Sequence, residues 1–457
     1  MKLFEEFDAV SEAQWKQKIQ MDLKGADYND TLVTTTASGI NIKPIYHSDS
    51  SDACHIPSRG TATGDWYISQ KIYGGNAAAA NKKIHDVLRR GAQGVVIVIP
   101  HDQVDLATLL KDLPKNGVQI HPQFLNNDYN GQIHRLLPNA YLHVDPIHKL
   151  ASEGNWFTSQ KNDLDNWKNL IADYSGYFSN ITINTSTYQQ AGATVVQELA
   201  YYAAHLNEYL NVLNDGDGLS AFAKAEKRIN LDTVIGPDYF TEIAKYRAYR
   251  IITRSVGKLY GINLDTYITA SPSKRNKSIM DYNVNMLRTT TECMSAVLGG
   301  ADTILNLPYD AFFNKENEFG DRIARNQLLI LKDEAYLDRV NNPASGAYFI
   351  ETLTRELVQK SLSIFKELEK AGGLIASLHA GTIQRKIKES ASREEAAFKH
   401  GDRILVGVNK FLDAGISLQK EYEILPFVKI EPRKTLVTPI VEKRLAEELE
   451  KESIAKR

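Results

Sequence analysis

Cysteine is almost missing. The 457 residues include two, Cys54 and Cys293, far apart and neither in a CxxC pair. This excludes a disulfide framework and a thiolate metal site, and it fits a reducing compartment. Long apolar runs are also missing: nothing approaches the roughly 18 residues of a membrane helix. The opening MKLFEEFDAVSEAQW lacks the apolar core of a secretory leader, so the cytosol is the expected location. Net charge is only −2 and the pI is near 6.6, which gives no bulk attraction for nucleic acid or an anionic membrane. HExxH, GxSxG and the phosphate-binding P-loop are all absent. The letters of GxGxxA occur once, at Gly216–Ala221. They follow a helical stretch (NEYLNVLND) rather than a strand, so the setting for a bound pyrophosphate is missing.

What remains is an apolar fraction of 43%, ample for a large core, arranged in a regular alternation. Asp65–Ile72 reads as a strand and Asn76–Arg90 as an Ala-rich helix stopped by Gly91. Strand-length apolar runs follow at Gly94–Pro100, Val118–Phe124, Tyr141–Asp145, Ile181–Ser186, Ile229–Ile235, Thr266–Ser271, Thr303–Pro308 and Tyr336–Val340. Helical periods fill the gaps, including Asn155–Asp173, Ala191–Leu213, Asp238–Leu259, Tyr282–Leu298 and Asp321–Asp333. Eight strands, each followed by a helix, predict an α/β fold, the (β/α)8 barrel. An open doubly wound sheet is the alternative, but it more often carries a glycine fingerprint after its first strand.

The ends differ from this body. Residues 1–60 read as an N-terminal arm: an amphipathic helix with Trp15, Ile19 and Leu23 on one stripe, then strand-like pieces at Thr31–Thr36 and Ile40–Ile45. Such a segment cannot bury its own apolar face, so it must lie on the 61–371 barrel or around a partner. Residues 372–457 form a helical extension and a charged tail, with a terminal helix expected at Val441–Lys451.

Chemistry-bearing residues are few. His101, His121, His143 and Asp145 stand at or near predicted strand ends. Residues two apart on a strand point the same way, so His143 and Asp145 could share the lumen, with His148 nearby. No tight metal template fits this spacing, hydrogen-bonded histidines account for it as well, and no metal ligand is assigned. A metal-dependent barrel enzyme built on His121, His143 and Asp145 stays as an alternative.

Several segments, in order, resemble the methylmalonyl-CoA mutase family. They are QQAGA (Gln189–Ala193) with QELAYYAAHLNEYL after it, IAKYRAYRII (Ile243–Ile252), RTTTECMSAVLGGADTI (Arg288–Ile304), RIARNQLLIL (Arg322–Leu331), RVNNPASGAYFIETLT (Arg339–Thr354) and ILVGVNKF (Ile404–Phe411). The resemblance covers roughly residues 60–412. It implies a barrel of the kind that encloses acyl-CoA and one face of adenosylcobalamin.

The departures from the family pattern are equally specific. The Tyr-His pair of the family's GYHMQEAGA falls on Ser186 and Thr187 in TSTYQQAGA. A hydroxyl there offers no titratable nitrogen. The family's HCQTSGWSLTAQDP stands here as TASPSKRNKSIMDY (Thr269–Tyr282), without the substrate-contacting His and Gln. Lys274, Arg275 and Lys277 take their place, expected as a solvated turn rather than a site for a CoA phosphate. GTIQ at Gly381–Gln384 lies beyond the barrel and only coincides in letters with the family's GTIQND. No His follows an Asp at DxHxxG spacing, and the chain stops where a cobalamin domain would begin.

SEAQWKQKIQMDLKGADY and NIKPIY (Asn41–Tyr46) are similar to the start of the family's small subunits. The resemblance therefore implies a small (β) subunit without the C-terminal cobalamin-type domain. It would have no catalytic, cofactor-binding or metal-binding residues of its own and would be paired as a heterodimer with a large subunit that holds adenosylcobalamin. A homodimeric scaffold or assembly factor is the alternative, and the isolated chain could itself form a homodimer.

Overall fold

Apolar strand-length runs alternating with amphipathic helices give a parallel sheet of eight strands: β1 (Tyr67–Tyr73), β2 (Gly94–Ile99), β3 (Val118–Pro122), β4 (Tyr141–Leu142), β5 (Thr182–Asn184), β6 (Arg228–Ile235), β7 (Asp265–Pro272) and β8 (Thr303–Leu305). The computed structural model describes residues 8–50, 64–173, 181–215, 218–224, 228–412, 422–429 and 432–455. Phe4, Phe7, Cys54 and the Gly216–Asp217 part of the GxGxxA match lie outside the described residues.

Spatial order runs β4-β3-β2-β1-β8-β7-β6-β5. The two end strands meet through side chains, with Thr182 Oγ1 donating to the Leu142 carbonyl at 3.2 Å and the Asn184 amide donating to Asp145 Oδ2 at 2.8 Å. The sheet is thus nearly closed into the expected (β/α)8 barrel. β2 (GVVIVI) is buried at every position, as a parallel strand covered on both faces must be. Helices such as Val195–Asn214, Tyr239–Leu259 and Val284–Gly299 clothe the outside.

The strand expected at Tyr336–Val340 does not form. The helix Glu318–Leu329 runs on into a π-turn at Ile330–Glu334, and Tyr336 then adopts a left-handed φ of 55°. Tyr336 and Val340 are exposed, and Asp338 and Arg339 lie between them, so the segment lacks the two apolar faces of a buried parallel strand. Asp65–Ile72 supplies the eighth strand instead, as β1 against β8, with Thr303 opposite Tyr67. Tyr348–Lys370 forms a long helix, and the tail helix begins later than the predicted Val441–Lys451, at Glu447–Ala455.

The arm divides in two. Its short hairpin (Thr34–Thr35 with Asn41–Ile42) sits on the body: Ile40 is buried in the main core, and Tyr46 tilts against Phe349 at 5.0 Å. The helix Glu12–Asp22 is capped by Ser11 and Gln14 but buries no residue, and Trp15 is 44% exposed.

Candidate functional site at the barrel mouth

The lower barrel is filled. Gln119 (β3) donates to Thr303 (β8) at 3.3 Å and accepts from Thr269 (β7) at 3.0 Å, and the rings of Tyr141 (β4) and Tyr267 (β7) stack at 4.3 Å. Polar and aromatic groups from strands on different sides meet here, so no passage runs through this layer. Above it a cavity of about 620 Å³ opens at the C-terminal ends of the strands, lined among others by Lys71, His121, Asn184, Ser186, Asp232 and Lys274. This is the face at which barrel enzymes place their chemistry.

His121 lines this cavity, and its ring stacks on that of the buried His143 at 4.0 Å. Their carboxylate partner is Asp232 of β6, not Asp145. Asp232 Oδ2 lies 2.8 Å from His143 Nδ1 and 3.8 Å from His121 Nε2. Burial pushes the Asp232 carboxyl upward, but the two histidines outweigh it and hold it below its ordinary range. Burial, then His143, hold His121 well below the usual imidazole value, against the pull of Asp232. Burial, then Lys274, lower Lys71 from the same wall.

The predicted pairing of His143 with Asp145 fails because β4 ends at Leu142. Past it the two-residue alternation no longer applies, and Asp145 becomes the N-cap of the helix Pro146–Glu153. There it accepts from the His148 amide at 2.8 Å, the Asn184 amide at 2.8 Å, the Tyr209 hydroxyl at 2.7 Å and His205 Nε2 at 3.0 Å. His148 points away from the cavity cluster, its Nδ1 bonded to the Asn184 carbonyl, and His101 is exposed on the loop after β2.

Ser186 and Thr187 open the short helix after β5. Ser186 Oγ donates to its neighbour Asn184 at 2.6 Å, and Thr187 is buried. The loop after β7 is not the solvated turn expected for Lys274, Arg275 and Lys277. Lys277 is fully buried and donates to both Glu292 oxygens at 2.8 Å, and Arg275 is buried against Glu394 at 2.6 Å. Lys274 is the exposed one, 3.3 Å from Glu442.

The loop itself is bonded to the chain's own C-terminal tail. The Lys443 amide donates to the Gln190 carbonyl at 3.1 Å, and the Leu445 amide to the Arg275 carbonyl at 2.7 Å. Ser278 Oγ donates to Glu450, which also pairs with Arg444. The tail therefore ties together the loops after β5 and β7. Asp232 and Lys71 were missed in the sequence because their partners stand on other strands, with no local spacing to mark them.

The family model described as Methylmalonyl-CoA mutase matches residues 135–447. The chain is 32% identical over 448 residues to a methylmalonyl-CoA mutase small subunit of Porphyromonas gingivalis, covering 90% of this chain and 71% of that one. It is 27% identical to a methylmalonyl-CoA mutase small subunit of Streptomyces virginiae, over 90% and 72%. A methylmalonyl-CoA mutase large subunit of P. gingivalis matches 53% of this chain and 35% of its own length at 31% identity. With that match across most of the barrel and the tail that ties its mouth, the chain belongs to the methylmalonyl-CoA mutase family.

Proposed function

We propose that this chain is the non-catalytic small subunit of an adenosylcobalamin-dependent methylmalonyl-CoA mutase. Its partner, a large subunit, carries the interconversion of (R)-methylmalonyl-CoA and succinyl-CoA. The observation that carries this reading is the pair of mouth loops: Ser186 bonds its own neighbour, and Lys277 and Arg275 serve internal ion pairs. Both segments that bear chemistry in catalytic relatives are committed here to holding the structure together.

The residues present do not fit adenosylcobalamin. Both loops at the mouth it would face are bonded to the tail, Gln190 donating to Glu442 and Ser278 to Glu450. Of the histidines near the mouth, His148 is tied to a backbone carbonyl and His121 stands inside the lumen. No step of the reaction is therefore derived through that cofactor on this chain. Stabilisation of a partner is supported by the arm: a capped helix that buries nothing of itself needs a second surface to cover Trp15 and Met21. Among the described residues no helix is long and apolar enough to cross a membrane.

Co-purification from the native source tests the reading. The expected result is a one-to-one complex with a catalytic mutase chain, and an isolated chain that neither turns over methylmalonyl-CoA nor retains cobalamin. Stoichiometric cobalamin on the isolated chain would overturn the proposal. An arm-deleted chain, lacking residues 1–45, that pairs as tightly as the intact one would refute the arm's part in that pairing.

A further inference from the structure

We propose that His121, His143 and Asp232 form a binding site for one divalent transition-metal ion, its open positions facing the cavity at the barrel mouth. One donor atom from each residue lies within 4.8 Å of the others. An ion about 2.0–2.1 Å from each of three tetrahedral donors would hold them roughly 3.3 Å apart. The 2.8 Å from His143 Nδ1 and the 3.8 Å from His121 Nε2 to Asp232 Oδ2 bracket that spacing. The shift needed is a few tenths of an ångström per side chain, plus a turn of one imidazole out of the stack. His121 has the room, since its side chain is 24% exposed and lines the cavity.

The second observation is the state of the polar atoms. His121 Nε2, His143 Nε2 and Asp232 Oδ1 are all buried and make no hydrogen bond. Buried polar atoms are almost always paired, so the bare His121 Nε2 and Asp232 Oδ1 call for a ligand or water, and on binding His143 Nδ1 would exchange its bond to Asp232 for the ion. The bond from His143 to Asp232 satisfies one carboxylate oxygen and leaves the rest.

Two imidazoles and one carboxylate select a borderline ion such as Zn²⁺, Fe²⁺, Co²⁺ or Mn²⁺ over Ca²⁺ or Mg²⁺. Three protein ligands beside a cavity follow the open coordination of metal sites that bind a further small ligand. Lys71 lines the same cavity, and its charge opposes a cation there. The proposal does not depend on the small-subunit reading, because it concerns the lumen rather than the mouth loops or the arm.

The test uses the full chain, stripped with EDTA and returned to metal-free buffer. Co²⁺ is followed by its visible d–d spectrum, and Zn²⁺ by calorimetry. The expected result is one equivalent per chain with nitrogen and oxygen ligation. Ligand loss should exceed the roughly 10–100-fold typical of outer-shell changes, so His121→Gln and Asp232→Asn should each weaken binding by at least about 100-fold. Lys71→Met should tighten binding, and His101→Gln, on the exposed loop after β2, should leave it unchanged. Thermal melts in EDTA identify any variant that fails to fold, and the wild-type Co²⁺ spectrum then decides alone. Absence of stoichiometric binding, an all-oxygen spectrum, or undiminished binding in folded His121→Gln and Asp232→Asn variants would each overturn the site.

Discussion

Two buried histidine–carboxylate clusters stand within one barrel, and they differ in how their carboxylates are used. Asp145 accepts from four donors on three segments: two backbone amides, a tyrosine hydroxyl and an imidazole. Asp232 accepts from His143 at one oxygen and presents the other, unpaired, toward a cavity. Both carboxyls sit below their ordinary range. Depressed acidity alone therefore does not separate a structural carboxylate from an available one. The count of satisfied oxygens does, because a fully bonded group has no valence left for a ligand. The same distinction holds for cations at the mouth. Lys277 is saturated by Glu292, Asn276 and the Ser273 carbonyl, whereas Lys71 lines the cavity.

The largest effect is expected where saturation is most complete. Lys277→Met leaves Glu292 buried with only Asn276 as partner, and breaking a buried pair in this way costs about 3–5 kcal/mol. Burial already pushes the Glu292 carboxyl upward, so the variant should protonate it, and the loss should grow as pH rises. Denaturant unfolding at two pH values checks both claims. A loss under about 1 kcal/mol would show that the mouth loop is not held by this pair.

Next in size, Asp145→Asn keeps the shape but replaces one acceptor oxygen with a donor facing donors, which should cost about 2–4 kcal/mol. Asp232→Asn can still accept from His143 and leaves nothing else unpaired that was paired before. A cost of about 1 kcal/mol is expected. These two variants, measured side by side in EDTA, give the comparison its sharpest test. Equal costs would mean that Asp232 is structural as well.

How far the sequence could anticipate this follows from the distance over which each feature is encoded. A helix such as Tyr239–Leu259 is written in local period and in its Asp238 cap, and it forms where predicted. β2 announces itself by six consecutive apolar or small residues. Tyr336–Val340 misled because apolar residues at both ends suggest a strand, while a π-turn and a left-handed Tyr336 are invisible to periodicity. The site was half legible. His121 and His143 stand out near strand ends, but Asp232 lies 89 residues after His143 and meets it only when the barrel closes. The buried fate of Lys277 was hidden for the same reason, since its partner Glu292 sits on the following helix among ordinary charged residues.

The smallest expected effect concerns pH. Burial is the main cause holding His148, beside Asp145, below the ordinary imidazole value. In the folded chain it resists protonation, while in the unfolded chain it titrates near about 6.5. Its contribution to stability is therefore present above about pH 6.5 and is lost as pH falls through that value toward the lower folded one. A single histidine of this kind contributes a slope of at most about 1.4 kcal/mol per pH unit. His148→Gln retains an amide able to donate to the Asn184 carbonyl while removing the titration. Stability measured from pH 7.5 to 5.5 should accordingly fall less steeply in the variant, by at most about 1 kcal/mol over the range. Unchanged steepness would assign the acid sensitivity to His121, whose imidazole is held by burial well below its ordinary value.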